Sequence, residues 1–193
     1  MSNADFESGS VARTVLTRTD SSSGRDLELT RGILAEWLGG QIAEATGVDI
    51  LSMGRPTTNG GSSENYFVTA DIRSGRETRR EKYVLRVKPN EFRMFLRENF
   101  DRQYALITHL GAETDVPVPA IPFYEPDPSV LGDHFWMMEL VEGEVPPDNP
   151  PYHSAGYVFE ASAEQRRKLW RSGLEAAARI PKVDVARLPQ IVE

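Results

Sequence analysis

Asn65-Tyr66-Phe67-Val68-Thr69-Ala70 and Glu81-Lys82-Tyr83-Val84-Leu85-Arg86-Val87, set either side of Arg73-Ser74-Gly75-Arg76, decide how this chain folds. Both outer stretches are rich in β-branched and aromatic residues, and the segment between them has the turn chemistry of a hairpin. Two antiparallel strands are predicted. Upstream, Val48 to Met53 reads as a further strand, joined to the first of these through Asn59-Gly60-Gly61-Ser62. Further back, Ile33, Leu34, Trp37, Leu38 and Ile42 fall on one face at helical spacing, with Gly47 as the stop. Downstream, Asn90 is placed to cap a helix whose stripe runs through Leu96, Phe100, Ile107 and Leu110. Val116-Pro117-Val118-Pro119 ends that helix in extended form, because proline disfavours helix at itself and at the residue before it. Strands at Ala120 to Tyr124 and His134 to Leu140 follow, separated by Glu125-Pro126-Asp127-Pro128. The expected fold is α+β: a five-stranded antiparallel sheet with one packed helix, preceded by a helix.

Outside that lobe the pattern changes. Residues 1–25 are rich in Ser, Thr and Asp with no apolar period, and are expected to form a flexible tail. Residues 142–161 are crowded with Pro, Gly and Asp. Ser162 and Gln165 then form a capping box before an amphipathic helix carrying Leu169, Trp170, Leu174 and Ala177. That apolar face demands a partner which the remaining residues do not supply, so residues 142–193 read as a linker and the first helix of an interrupted second lobe. The same face, on helix 163–179, is a candidate for self-association.

Composition narrows the function classes. With 39% hydrophobic and 26% charged residues the 193-residue chain suits a globular protein. Its longest run of large apolar side chains, Phe135 to Met138, falls far short of the ~20 residues of a membrane helix. No membrane partner and a cytoplasmic location are expected. A net charge of −7 argues against a nucleic-acid partner, and the absence of cysteine excludes thiolate metal sites.

Four features suggest chemistry. Between two strands, Gly60 and Gly61 let backbone amides approach an anion while Ser62 and Ser63 add donors, which suits phosphates; a simple turn is the other reading. Arg86 points to the face of its strand opposite Tyr83, Leu85 and Val87, either to meet phosphates or merely to lie in solvent. Gln103 interrupts the apolar seam of the following helix, so it needs a specific partner, and Arg86 is the natural one unless the seam is shallow and Gln103 half-solvated. Finally, Met138, Glu139 and Val141 belong to an apolar strand running into an acidic, glycine-terminated link. Such an edge can offer backbone donors and acceptors to a flat base, or can be a core strand meeting a loop.

Taken in order, Gly60 to Ser63, Val84-Leu85-Arg86, Arg102-Gln103, Val116 to Pro119 and Met138-Glu139-x-Val141-x-Gly143 resemble the N-terminal lobe of protein-kinase-like folds. The closest resemblance is to the aminoglycoside phosphotransferase and choline kinase branch, over roughly Leu27 to Asp184. It implies that residues 26–141 are a kinase-like N-terminal lobe binding ATP, with Mg2+ ligands in a C-terminal lobe not present here. It also implies that Met138 guards the adenine pocket and that the backbone of Glu139 and Val141 bonds the adenine edge. Gln103 stands where many relatives carry Glu. The family's His-Gly-Asp catalytic loop is absent: His109, His134 and His153 are followed by Leu110, Phe135 and Ser154. No catalytic residue and no metal ligand are therefore assigned in this chain.

Two functions are open from the sequence. One is the nucleotide-binding portion of an ATP-dependent phosphotransferase that moves the γ-phosphate to a hydroxyl of a small molecule. The other is a non-catalytic module, derived from such a kinase, that holds a nucleotide or a partner.

Overall fold

The computed structural model of the protein describes residues 25–56, 64–88, 100–146 and 149–188. Helix α1, Leu27–Gln41, opens the fold and is capped by Asp26, whose carboxylate accepts from the Glu28 and Leu29 amides. The helix ends at Gln41 rather than running on to the expected stop at Gly47. Strands β1 (Gly47–Gly54), β2 (Glu64–Ser74) and β3 (Glu77–Val87) follow. Next come α2 (Phe100–Glu113), β4 (Phe123–Glu125), the single turn α3 (Pro128–Leu131) and β5 (Phe135–Glu139). The five strands form one antiparallel sheet in the order β1-β2-β3-β5-β4, and the α+β expectation holds.

The β2–β3 hairpin is longer than expected because pairing continues to Ser74 opposite Glu77, leaving only Gly75 and Arg76 to turn the chain. Gly75 sits at φ 61°, in the left-handed region that a side chain resists. Strand β4 is shorter than expected. Pro122 has no amide to donate, so regular pairing begins only at Phe123, opposite Met137.

Side chains alternate across the sheet with period two, and one face is the core. Tyr66, Val68 and Ala70 of β2, Tyr83, Leu85 and Val87 of β3, and Phe135 and Met137 of β5 all point toward α1. Leu34 and Leu38, one helical turn apart, close that core. On the edge strand, the Arg31 guanidinium of α1 donates to the Ile50 carbonyl (Nη2 at 2.7 Å, Nε at 3.2 Å) and to that of Leu51 (3.3 Å). These bonds fall at the β-bulge between Ile50 and Ser52.

α2 reaches the opposite face of the sheet through its first turns. Phe100 is buried and stacked on Trp136, with ring centroids 4.0 Å apart, and Tyr104 stacks on Tyr124 at the same separation. Ile107 and Leu110 of the expected stripe are half-buried, and Leu96 lies outside the described residues.

Beyond the sheet come α4 (Tyr157–Glu160), α5 (Ala163–Ala177) and two 3-10 turns, Ile180–Lys182 and Val185–Arg187. The capping box forms as predicted, with Ser162 Oγ accepting from the Gln165 amide and Gln165 Oε1 from the Ser162 amide. No residue of α5 is buried, and Trp170 and Leu174 are 58% and 67% exposed. Among the described residues, no helix is long and apolar enough to cross a membrane.

Candidate functional site

The strand register that buries Tyr83, Leu85 and Val87 turns Val84 and Arg86 to the open face, where two rows of side chains cross the sheet. In the first row Asn65 of β2, Arg86 of β3, Trp136 of β5 and Tyr124 of β4 lie side by side. In the second, Phe67, Val84 and Met138 do the same. One row is polar and aromatic; the other is an apolar shelf.

Arg86 Nη2 donates to Gln103 Oε1 at 2.8 Å, the pairing that the interrupted helix stripe suggests. The Arg86 guanidinium also lies over the Trp136 ring, 5.3 Å from its centroid, a cation–π contact with a fully buried indole. Both contacts orient the guanidinium, and neither partner is charged. The bond to Gln103 is charge-assisted on its donor side, and together with the indole it fixes the direction of the cation.

The shelf is more exposed than a core strand allows. Phe67 is 45% exposed although it sits on a strand in the interior of the sheet. A large aromatic side chain on the open face of a central strand is the kind of apolar surface that ligand sites use. Sequence reasoning did not single out Phe67. The signal was there in the alternation, since Tyr66, Val68 and Ala70 fill one face and leave Phe67 on the other.

Past Met138 the chain leaves the sheet under tight control. The Glu139 amide donates to the Ala120 carbonyl (2.8 Å) and the Leu140 amide to that of Lys82 (3.2 Å), while Lys82 Nζ pairs with Glu142 at 2.6 Å. That pairing holds the exposed Glu142 carboxyl below the usual carboxylate range. Val141, between these anchors, is 66% exposed. Because the Glu139 amide is already engaged, only the carbonyl of that residue's backbone can serve a ligand, which narrows the expectation for it.

The structure thus brings Arg86 and Gln103 into contact, puts Met138 in the adjacent row, and leaves Glu139 and Val141 at the sheet's exit. Gly60, Gly61, Ser62 and Ser63 lie outside the described residues. Their roots are placed: β1 ends at Gly54 opposite Phe67, and β2 begins at Glu64, which accepts from Arg25 (3.4 Å) and from the Tyr66 hydroxyl (3.3 Å). Among the described residues, no group of three or more His, Asp or Glu could hold a metal.

The model of the phosphotransferase enzyme family matches residues 54–191. This chain belongs to that family. Over 127 residues, 66% of its length, it is 29% identical to the probable acyl-CoA dehydrogenase IBR3 of Arabidopsis thaliana and covers 14% of that protein. It is also similar to the crystal structure of a candidate aminoglycoside phosphotransferase from Ralstonia eutropha JMP134, at 25% identity and a TM-score of 0.37. That similarity covers 59% of this chain and 28% of the other. The phosphotransferase-family chain described here therefore spans well under a third of either relative.

Proposed function

We propose that this chain carries the ATP-binding portion of a phosphotransferase that moves the γ-phosphoryl group of ATP to a hydroxyl of a small molecule. Family membership supports the reaction class, and the observation that carries the site is the Arg86–Gln103 bond beside the Phe67, Val84 and Met138 shelf. In this reading the shelf takes the adenine ring. The Glu139 carbonyl and the Val141 amide meet its polar edge, and Met138 limits the depth of the pocket. Arg86 is aimed at the phosphates, with Gly60, Gly61, Ser62 and Ser63 supplying amides and hydroxyls from above.

The residues fit the nucleotide better than they fit its metal. An apolar row beside a directed guanidinium suits a base with a polyphosphate, whereas the described residues offer no carboxylate cluster for Mg2+. When bound, Mg2+ would neutralise the β- and γ-phosphates; its ligands, and the base that takes the proton from the acceptor hydroxyl, would come from a C-terminal lobe outside this chain. What this chain supplies is position. Holding the phosphoryl donor in one orientation is a large part of the barrier reduction in phosphoryl transfer, which involves little covalent participation by the protein.

In this reading the acceptor pocket would belong to the other lobe. Similarity to a protein named for acyl-CoA chemistry makes a hydroxyl on an acyl thioester the first acceptor to assay, ahead of aminoglycosides, choline and sugars. The cytoplasm, where ATP is supplied, is the proposed compartment. A second reading, a nucleotide-holding module without catalysis, is favoured by the neutral Gln103 in the place of a carboxylate.

Thermal unfolding of the chain with and without magnesium-ATP tests the site. Nucleotide at a hundred times its dissociation constant should add about 2.7 kcal/mol, and Arg86→Ala should remove most of that gain. No shift at millimolar nucleotide would overturn the reading. Turnover of acceptor by the full-length parent, but not by this chain, separates the enzyme from the module.

A further inference from the structure

α2 is tied to the sheet by a polar contact that the nucleotide reading does not use. Asp101, beside the buried Phe100, presents one carboxylate oxygen to two partners from elsewhere in the chain. The Tyr124 hydroxyl of β4 donates to Asp101 Oδ1 at 2.8 Å, and His134 Nδ1 lies 2.9 Å from the same oxygen. The His134 carbonyl in turn accepts from the Lys88 amide at 3.0 Å, just past the end of β3. One side chain thus links α2 to β4, to the start of β5 and, through His134, to the end of β3.

The protonation states suit the arrangement. Burial pushes the Asp101 carboxyl up, but the bonds from His134 and Tyr124, with Lys88 nearby, outweigh it and hold the group below its ordinary range. Burial and the bond to Asp101 drive the Tyr124 phenol far above its usual value, so it remains a donor. Anion and donor are fixed near neutrality.

The geometry reaches the candidate site within one helical turn. Asp101 and Tyr104 are three residues apart and share a face of α2, and both engage Tyr124, one at its hydroxyl and the other at its ring. Gln103 lies between them in sequence, on the neighbouring face that meets Arg86. Rotating α2 about its axis would break the Tyr124 contacts and carry the Gln103 amide away from the guanidinium together.

We propose that Asp101 is a positioning residue: the Tyr124–Asp101–His134 tether sets the rotation of α2 and so keeps the Gln103 amide on Arg86. The consequence for nucleotide affinity rests on the function proposed above; the consequence for α2 and Arg86 does not.

The test uses the whole chain labelled with 15N, with two readouts: the Arg86 Nε–H resonance and the hydrogen exchange of α2 amides. Asp101→Ala removes the shared acceptor, and Tyr124→Phe removes one donor while keeping the ring stack on Tyr104. Both should shift the Arg86 resonance and speed α2 exchange. Asp101→Asn, which retains an acceptor oxygen for Tyr124, should restore much of the wild-type signal. Leu34→Ala, a core change on the far face, controls for general loosening and should leave the Arg86 resonance in place. Magnesium-ATP binding should weaken about tenfold in Asp101→Ala, the size of a lost charge-assisted bond. An unmoved Arg86 resonance in both tether variants, or an equal shift in Leu34→Ala, overturns the proposal. Should Asp101→Ala fail to fold, Tyr124→Phe decides by the same readout. If the wild-type chain binds no nucleotide, the functional reading fails while the Arg86 and exchange data still decide the tether.

Discussion

Arg86 is oriented by an amide oxygen and an indole ring, and the strength of that hold can be measured. Gln103→Ala removes the 2.8 Å bond and should cost about 1–2 kcal/mol in urea unfolding, whereas Gln103→Glu, which turns the bond into an ion pair, should match or exceed the wild type. A neutral Gln103→Ala would mean that the amide holds nothing. Phe67 offers a cleaner separation of binding from stability. Because it is exposed, Phe67→Ala should move the unfolding free energy by no more than about 0.5 kcal/mol, yet weaken ATP roughly tenfold. Equal affinity in calorimetry would remove Phe67 from the site. Asp101 carries a pH dependence of definite sign. Its carboxyl is held below its ordinary value, so the stability it contributes is complete above the unfolded-state pKa of ~3.9 and is lost as pH falls through the lower folded value. Below about pH 4 the wild type should lose stability more steeply than Asp101→Asn, and parallel profiles would count against the tether. At this scale the sequence was uneven as a guide. Gln103 was legible because a polar residue in an apolar stripe asks for a partner, and Arg86 was the nearest. Asp101 was not, because its partners come from 23 and 33 positions away, and no local pattern marks such a meeting.

Elements were read well where periodicity ran long. Tyr66, Val68 and Ala70 against Tyr83, Leu85 and Val87 specify both strands and the buried face, and the pairing follows. Short elements were lost. Asp127-Pro128 carries the cap-and-proline start of a helix, and Asp127 does accept from the Ser129 amide, but four residues are too few to show an apolar period. The difference in burial between the two long capped helices predicts unequal costs. Leu38→Ala on α1 opens the core and should destabilise by about 2–5 kcal/mol, while Leu174→Ala on α5 should change global stability by less than about 0.5 kcal/mol. Denaturation of the two variants side by side checks it, and comparable losses would mean that α5 is packed.

The molecule as a whole divides its apolar surface unevenly. The sheet and α1 bury theirs, whereas Val145, Trp170, Leu174 and Val185 beyond the sheet are each more than half exposed. An apolar surface of that kind favours association, so scattered-light mass should rise with concentration and fall back in Trp170→Glu. A mass that stays monomeric over the whole dilution series would contradict the expectation. The edge of the sheet tells the opposite story. Carbonyls on a bare outer strand invite any extended peptide to add itself, which is how fibrils begin. On β1 the Arg31 guanidinium already takes the Ile50 and Leu51 oxygens at a bulge that bends the strand, so an incoming chain finds its first acceptors taken and its register broken. Arg31 is a gatekeeper, and its loss should show first as seeded fibril growth in a dye-binding assay.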